Sequence, residues 1–420
     1  MDSRSKRTTV TFKNSFSALC IMGLFAILSS TMSKNPVLNP FALSLGTPSD
    51  LMGIVASAST IPGILISLPA ASLSDILGRK KMLLMSTFIF ASAPFLYLLV
   101  TDWWQLALVR FYHGFATAIF VPVAEATVAE TFPEKKGERI SAFNSATYIG
   151  RGLAPFLGGS ILFVTGYGFH SLYLAVGIAG VTSFLIALLF LTDSGSTMPD
   201  QPRTAKATTG NMLRGWLEIA RNKGALAVSF VQAIQYYVYG VVEFYLVQYM
   251  MQVAGLNALA VSVVMGMQVV SLIISRPMIG RLSDKTGRRM PIIVGCIISA
   301  ILLFIVPSTT RFEFLLLISV GYGFGFAMVV SSTSPLMCDL NSKHLIGASM
   351  GFLSTIMDVG QTLGPIISGI LLALTLQYNL LFYSLSLLLA VSAVIFALAR
   401  VAGERSPGPS LSTEPNANSL

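Results

Sequence analysis

Apolar stretches of bilayer length recur along the whole chain, and no other feature narrows its fold so far. A spanning helix needs about 20 mainly apolar residues. Hydropathy and its breakers give twelve such segments: 15–45 (interrupted near Pro36 and Pro40), 50–73, 82–100, 103–131, 139–165, 171–192, 224–254, 258–280, 290–308, 312–336, 345–375 and 378–401. Hydrophobic residues make up 54% and charged residues 11% of the sequence, whereas a soluble domain carries about 25% charged residues. Transmembrane β-barrels need alternating segments of about ten residues, and the run from Ile178 to Leu191 does not alternate. The chain therefore reads as an all-α membrane protein.

The net charge of +9 marks topology rather than a nucleic-acid partner. Basic residues gather in the N-terminus, the 74–81 and 132–139 loops, the central linker, the 281–290 loop, Lys343 and the C-terminal tail, whereas the alternate loops hold only Lys34 and Arg311. Positively charged loops stay cytoplasmic, so both termini and the linker are expected inside a plasma membrane, as an even number of spans requires. The stretch Phe16 to Ser33 follows a basic leader (Arg4, Lys6, Arg7, Lys13) as a secretory signal would. It lacks a small-residue cleavage site and is read as span one. Cys20, Cys296 and Cys338 show no CxxC or Cys/His grouping, so neither a disulfide framework, a metal site nor a cofactor is expected.

This organisation divides the chain into a cytoplasmic N-terminus (1–14), a first six-span half (15–192), a cytoplasmic linker (193–223), a second six-span half (224–402) and a disordered tail (403–420). Within the linker, Leu213, Trp216, Leu217 and Ala220 share one helical face while Arg214, Glu218 and Arg221 share another. That pattern predicts a short helix lying in the membrane interface.

The two halves repeat each other. Leu73-Ser74-Asp75-x-x-Gly78-Arg79-Lys80 recurs as Leu282-Ser283-Asp284-x-x-Gly287-Arg288-Arg289, an offset of 209, which also carries Gly46 onto Gly255. Ala154-Pro155-x-x-Gly158-Gly159 recurs as Gly364-Pro365-x-x-Ser368-Gly369 at offset 210. Three matches at nearly half the chain length indicate a duplication.

On these motifs the chain, from Ser15 to Ala402, resembles the major facilitator superfamily. Its loop signature, G-x-L-a-D-r-x-G-r-k, fits Ala71 to Lys80 with Ala71 in place of the first glycine, and Gly280 to Arg289 with that glycine present. The resemblance implies twelve transmembrane helices in two pseudo-symmetric six-helix bundles that rock around a central cavity. It also implies that Asp75 and Asp284 latch one half against the other in the outward-open state. Gly78 and Gly287 would make the tight turns, and Arg79, Lys80, Arg288 and Arg289 would hold the loops at the headgroups.

Two further signatures carry expectations about mechanism. Arg110-x-x-His113-Gly114 in span four resembles the family's R-x-x-q-G motif, with His113 in the glutamine position. An arginine within the bilayer costs around 3 kcal/mol or more unless paired or hydrated, which makes it a functional candidate. Gly150-x-x-x-Ala154-Pro155-x-x-Gly158-Gly159 in span five resembles a pattern that accompanies exporters exchanging substrate for protons. Small residues there allow close helix packing, and Gly360-x-x-x-Gly364-Pro365 echoes it in span eleven.

Arg110, His113, Glu125, Arg151, Glu243 and Asp358 are the candidates for proton coupling. Asp358 and Arg151 count nearest the midplane, whereas Arg110 and Glu125 lie about 22 Å apart along one helix and cannot pair. Arg276 counts near the cytoplasmic end of span eight, where it would snorkel. Lys34 and Glu243 are equivalents at offset 209. Because the resemblance sets helices one and seven face to face, an outer-gate salt bridge between them is expected. Asn35, Gln232, Gln235, Tyr236 and Tyr239 offer amides and aromatic faces to an amphipathic substrate.

The resemblance is to the twelve-helix drug:proton antiporters, although span one lacks the acidic residue that several of them carry. It implies a monomeric, proton-coupled exporter whose partners are a small molecule, protons and the bilayer. An uptake symporter or facilitator on the same fold is the alternative. No P-loop, nucleophile elbow or zinc motif supports an enzyme.

Overall fold

The computed structural model describes residues 3–191, 214–342 and 345–399. Most of the linker, Lys343 and the tail lie outside the described residues, as do the side chains of residues 3–15 and of Asp75.

Span one is Ser3–Met32, broken at Pro36 and resumed as Leu38–Ser44. The break expected at Pro40 does not form. Proline in a first helical turn needs no N–H partner, so Pro40 sits inside the resumed helix. Span two is also broken, into Met52–Ser57 and Ile61–Leu77. Spans three to six are Arg79–Tyr97, Trp103–Thr131, Lys136–Val164 and Phe169–Phe190. Span seven runs Lys223–Val241, loosens into a π-helical turn at Val242–Leu246 and ends as Val247–Gln252. Ala258–Thr286, Arg289–Ile305, Phe312–Asp339, Ile346–Thr375 and Tyr378–Leu398 complete the second half. Among the described residues, eight of these helices are each long and apolar enough to cross a bilayer on their own.

Several helices outrun their hydropathic segments. Arg79 and Arg289 are already helical, so each signature loop shrinks to a turn around Gly78 (φ 92°) or Gly287 (φ 87°). Only glycine adopts that left-handed backbone at little cost. Asn222 and Asn257 cap the starts of spans seven and eight by accepting from backbone N–H groups, the usual way of satisfying donors left over at a helix N-terminus.

The helix expected before span seven is present over 214–221, but it turns a different face inward. Ile219 is fully buried, Trp216 meets Phe352 edge-on at 5.5 Å and Leu217 is 65% exposed. Phe352 and Ala348 of span eleven offer Trp216 a packing surface, and docking there overrides the lipid-facing pattern. Leu213 lies outside the described residues.

The apolar core shows how the halves meet. On the side of the basic loops each half has a core of its own, one around Met22, Phe90 and Phe120 and the other around Ile292, Val329 and Phe396. On the opposite side a single cluster joins both halves, from Leu28 and Tyr173 to Tyr245 and Phe382. The two bundles are therefore joined away from the basic loops and packed separately near them.

Candidate functional site between the two halves

The joined side is closed by residues that face their own repeat copies. Lys34 Nζ donates to Glu243 Oε2 at 3.1 Å, and Asn39 Nδ2 donates to Gln248 Oε1 at 3.3 Å; both pairs are 209 residues apart. The pseudo-twofold axis passes between spans one and seven at this level. The π-helical turn carries Glu243, which also accepts from Gln361 Nε2 at 3.4 Å. Ser57 Oγ donates to Thr362 O at 2.7 Å, and the Thr60 and Thr362 hydroxyls lie 2.6 Å apart. The cavity left among Lys34, Ser59, Arg110, Glu243 and Gln361 is about 20 Å³, room for a water molecule and too small for a substrate.

The Lys34 and Glu243 side chains are 26% and 12% exposed, so removing one partner leaves a poorly solvated charge. Reversing one charge with Lys34→Glu should slow transport, and adding Glu243→Lys should restore part of it. A double-mutant cycle should give a coupling of about 1–3 kcal/mol. Wild-type rates in both Lys34→Ala and Glu243→Ala would remove any gating role.

Arg110 is 2% exposed and does not reach outward. It donates from Nε to Val55 O at 3.0 Å and from Nη2 to Ala56 O at 3.3 Å and Ser59 Oγ at 2.7 Å. The break in span two leaves those carbonyls without helical partners, and the guanidinium fork satisfies them. His113 lies beside Tyr97, with 3.4 Å between its Nδ1 and the phenol oxygen, and edge-on to Phe90. These contacts all come from the first half. Glu125 accepts from Asn144 Nδ2 at 3.0 Å and joins spans four and five.

The signature loops also bond within their own halves. Arg79 grips Glu130 through Nε at 2.9 Å and Nη2 at 2.5 Å, and its copy Arg288 grips Asp339 at 2.5 Å; each pair is 51 residues apart. Asp284 pairs with Arg288 at 3.0 Å rather than with the other half. Among the described residues Asp284 therefore makes no latch to the first half, and the Asp75 side chain lies outside them. Arg289 ties span nine to Ala397 O and Ala399 O at the end of span twelve. Among the described residues, a Cβ at Gly280 would meet nothing within contact distance.

The small-residue motif acts alike in both halves. A Cβ at Gly150 would strike Leu24 O, and one at Gly360 or Gly364 would strike Ala233 O or Tyr237 O. Span five thus lies against span one as span eleven lies against span seven. Ala154 is fully buried, and Gly158 faces Met32 and Val37. Pro155 and Pro365 sit inside their helices. Gly159 and its copy Gly369 approach Ser262 and Gly53 of the opposite half, themselves 209 residues apart.

Nearer the midplane the seam becomes polar. The Asp358 carboxylate faces Gly63 of the first half so closely that a Cβ there would lie 2.6 Å from Oδ2. It has no hydrogen bond or ion pair among the described residues. Tyr236, Tyr239 and Phe326 form an aromatic group, with Phe326 centred 5.2 Å from Tyr236 and 4.6 Å from Tyr239. Gln232 accepts from Thr333 at 2.7 Å, Gln235 is fully buried with both amide atoms unpartnered among the described residues, and Asn35 is buried at the far end of span one. Arg276 does not snorkel. Its Nη1 donates to Tyr148 of the first half and its guanidinium lies over that ring at 5.3 Å. Sequence reasoning missed this pair because it ended span eight at residue 280, whereas the helix continues to Thr286 and leaves Arg276 well inside. Arg151 has no hydrogen bond or ion pair among the described residues. They also hold no group of three metal-ligating side chains.

Comparison with known proteins agrees with this architecture. The chain is 23% identical over 342 residues to an uncharacterized MFS-type transporter, MJ1560, of Methanocaldococcus jannaschii, covering 80% of this chain and 86% of that one. It is 22% identical over 357 residues to multidrug resistance protein 2 of Bacillus subtilis, covering 83% and 86%. Among solved structures, a bacterial homolog of the human lysosomal transporter Spinster, inward-facing and occupied, superposes with a TM-score of 0.76 at 14% identity, over 94% of this chain and 96% of that one. The sequence profile of the Major Facilitator Superfamily matches residues 19–309 and 228–420, and with two six-helix bundles meeting at a polar seam the chain belongs to that superfamily of membrane transporters.

Proposed function

We propose that this transporter is a proton-coupled exporter of small amphipathic compounds, acting by alternating access in a plasma membrane with both termini cytoplasmic. The observation that carries the proposal is Asp358, a carboxylate held at the meeting of the halves against Gly63 and without a hydrogen-bond partner among the described residues. A carboxylate enclosed by one movement of the halves and wetted by the opposite one exchanges its proton as they move. Similarity to a protein named for multidrug resistance supports the outward direction, and the aromatic group suits an amphipathic cargo.

Uptake together with a proton is a second reading, favoured by the arginines Arg151 and Arg276 on the same seam. Where an anion binds near them, a proton on Asp358 would assist its binding rather than oppose it. Dye accumulation in cells with and without the protein tests the direction. Export predicts lower accumulation that an uncoupler restores. Equal accumulation across cationic, neutral and anionic dyes would defeat it, and higher accumulation would establish uptake.

A further inference from the structure

The repeat shows how the seam is electrically divided. Tyr148 and Arg151 of span five correspond, at offset 210, to Asp358 and Gln361 of span eleven, and Arg276 of span eight corresponds, at offset 209, to Ser67 of span two. One side of the pseudo-twofold therefore carries two arginines and a tyrosine, while the equivalent side carries a carboxylate and neutral residues. Duplication alone would have made the sides alike.

The positive side is built as a site. Tyr148 and Arg151 are three residues apart and so share a helical face, and Arg276 reaches Tyr148 from the opposite half. Arg276 spends one nitrogen on that contact, and its buried Nε has no partner among the described residues. Both guanidinium groups lie within electrostatic reach of the Tyr236 and Tyr239 phenols, which pack on Phe326. Two carboxylates also reach these phenols, Asp358 at Tyr236 and Glu243 at Tyr239. Glu243 is paired with Lys34, which leaves two guanidinium groups against the single carboxylate of Asp358.

From this we infer that the substrate is an amphipathic organic anion, its acidic group held by Arg151 and Arg276 and its ring system lying against Tyr236, Tyr239 and Phe326. A planar guanidinium with free donors matches a carboxylate or sulfonate, and the aromatic group takes up the apolar body. A simple cation would meet surplus positive charge here. The inference rests on the proposed function only in taking the seam as the substrate path, which export and uptake share.

The test is binding of three probes with one aromatic body, 2-naphthoate, 2-naphthylmethanol and 2-naphthylmethylammonium, to the purified full-length protein, read as thermal protection over a concentration series. The carboxylate should protect at concentrations at least about tenfold lower than the ammonium, and Arg151→Gln and Arg276→Gln should each raise its half-saturating concentration about tenfold or more, as expected for loss of a charge-assisted contact. Arg276→Gln also removes the Tyr148 contact and could disturb folding. Arg151, with no partner among the described residues, supplies the cleaner variant. Protection by the ammonium equal to that by the carboxylate, no protection by the carboxylate, or unchanged carboxylate binding in Arg151→Gln would overturn the inference. Direction is read separately in the dye assay, so carboxylate binding without dye extrusion would remove the export reading and leave the anion site standing.

Discussion

Asp358→Asn should abolish accumulation driven by a pH gradient while leaving substrate exchange at equal pH. A one-unit gradient is worth about 1.4 kcal/mol per proton, which sustains about a tenfold concentration ratio per coupled proton. In liposomes containing the variant that ratio should fall to one. Asparagine keeps the size of the side chain and its fit against Gly63, so the halves should still pack and rock. Exchange of labelled for unlabelled substrate without a gradient is the control that separates loss of coupling from loss of the carrier. A variant that still concentrates substrate as wild type does would move the proton elsewhere, to His113 or Glu125, both of which have their described hydrogen bonds within the first half.

A second large effect is expected at Gly53. A Cβ there would lie 2.7 Å from Ile366 Cα and closer still to the Pro365 carbonyl, both backbone atoms of the opposite half. A leucine cannot be accommodated by a side-chain turn, so the halves must separate on the joined side. Overpacking typically costs about 1–3 kcal/mol, enough to move an equilibrium between two states by about 5–150-fold. Gly53→Leu should therefore remain folded, transport poorly and open the joined side. A cysteine replacing Thr60, which lines the small cavity, should then react faster with a membrane-impermeant maleimide. Gly364→Leu is the contrasting variant. Its clash is with Tyr237 O inside one bundle, where no rigid-body movement relieves it, so lower stability and yield are expected instead. Wild-type labelling and transport in Gly53→Leu would show that the joined side tolerates more than its packing allows.

Hydropathy located the spans because a bilayer admits little else, and the repeat located Lys34 opposite Glu243 because equivalent positions near a twofold axis must approach each other. Helix ends were less legible. Hydropathy marks the hydrocarbon layer, and the helices of spans three and eight continue past it, which is why Arg276 was misplaced. The break at Ala58 to Thr60 is followed by Pro62 in the first turn of the resumed helix, a local signal, but it also depends on Arg110 of span four, which donates to the freed carbonyls of Val55 and Ala56. No local pattern contains that relation. The arginine side of the seam was hidden for a similar reason: Tyr148 and Arg276 matter together, and they come from different halves. The offset that pairs Tyr148 with Asp358 was available as a signal, but it becomes informative only once span five is known to lie against span eight.

The pairing of Lys34 with Glu243 has a consequence for how such a molecule could arise. In an assembly of two identical subunits, a residue on the diad meets itself, so lysine would confront lysine and the contact would be repulsive. A complementary pair at that point requires the two copies to be encoded separately, free to diverge one position at a time. Joining the copies in one polypeptide thus did more than tether them, because it allowed a self-facing position to become an attractive contact.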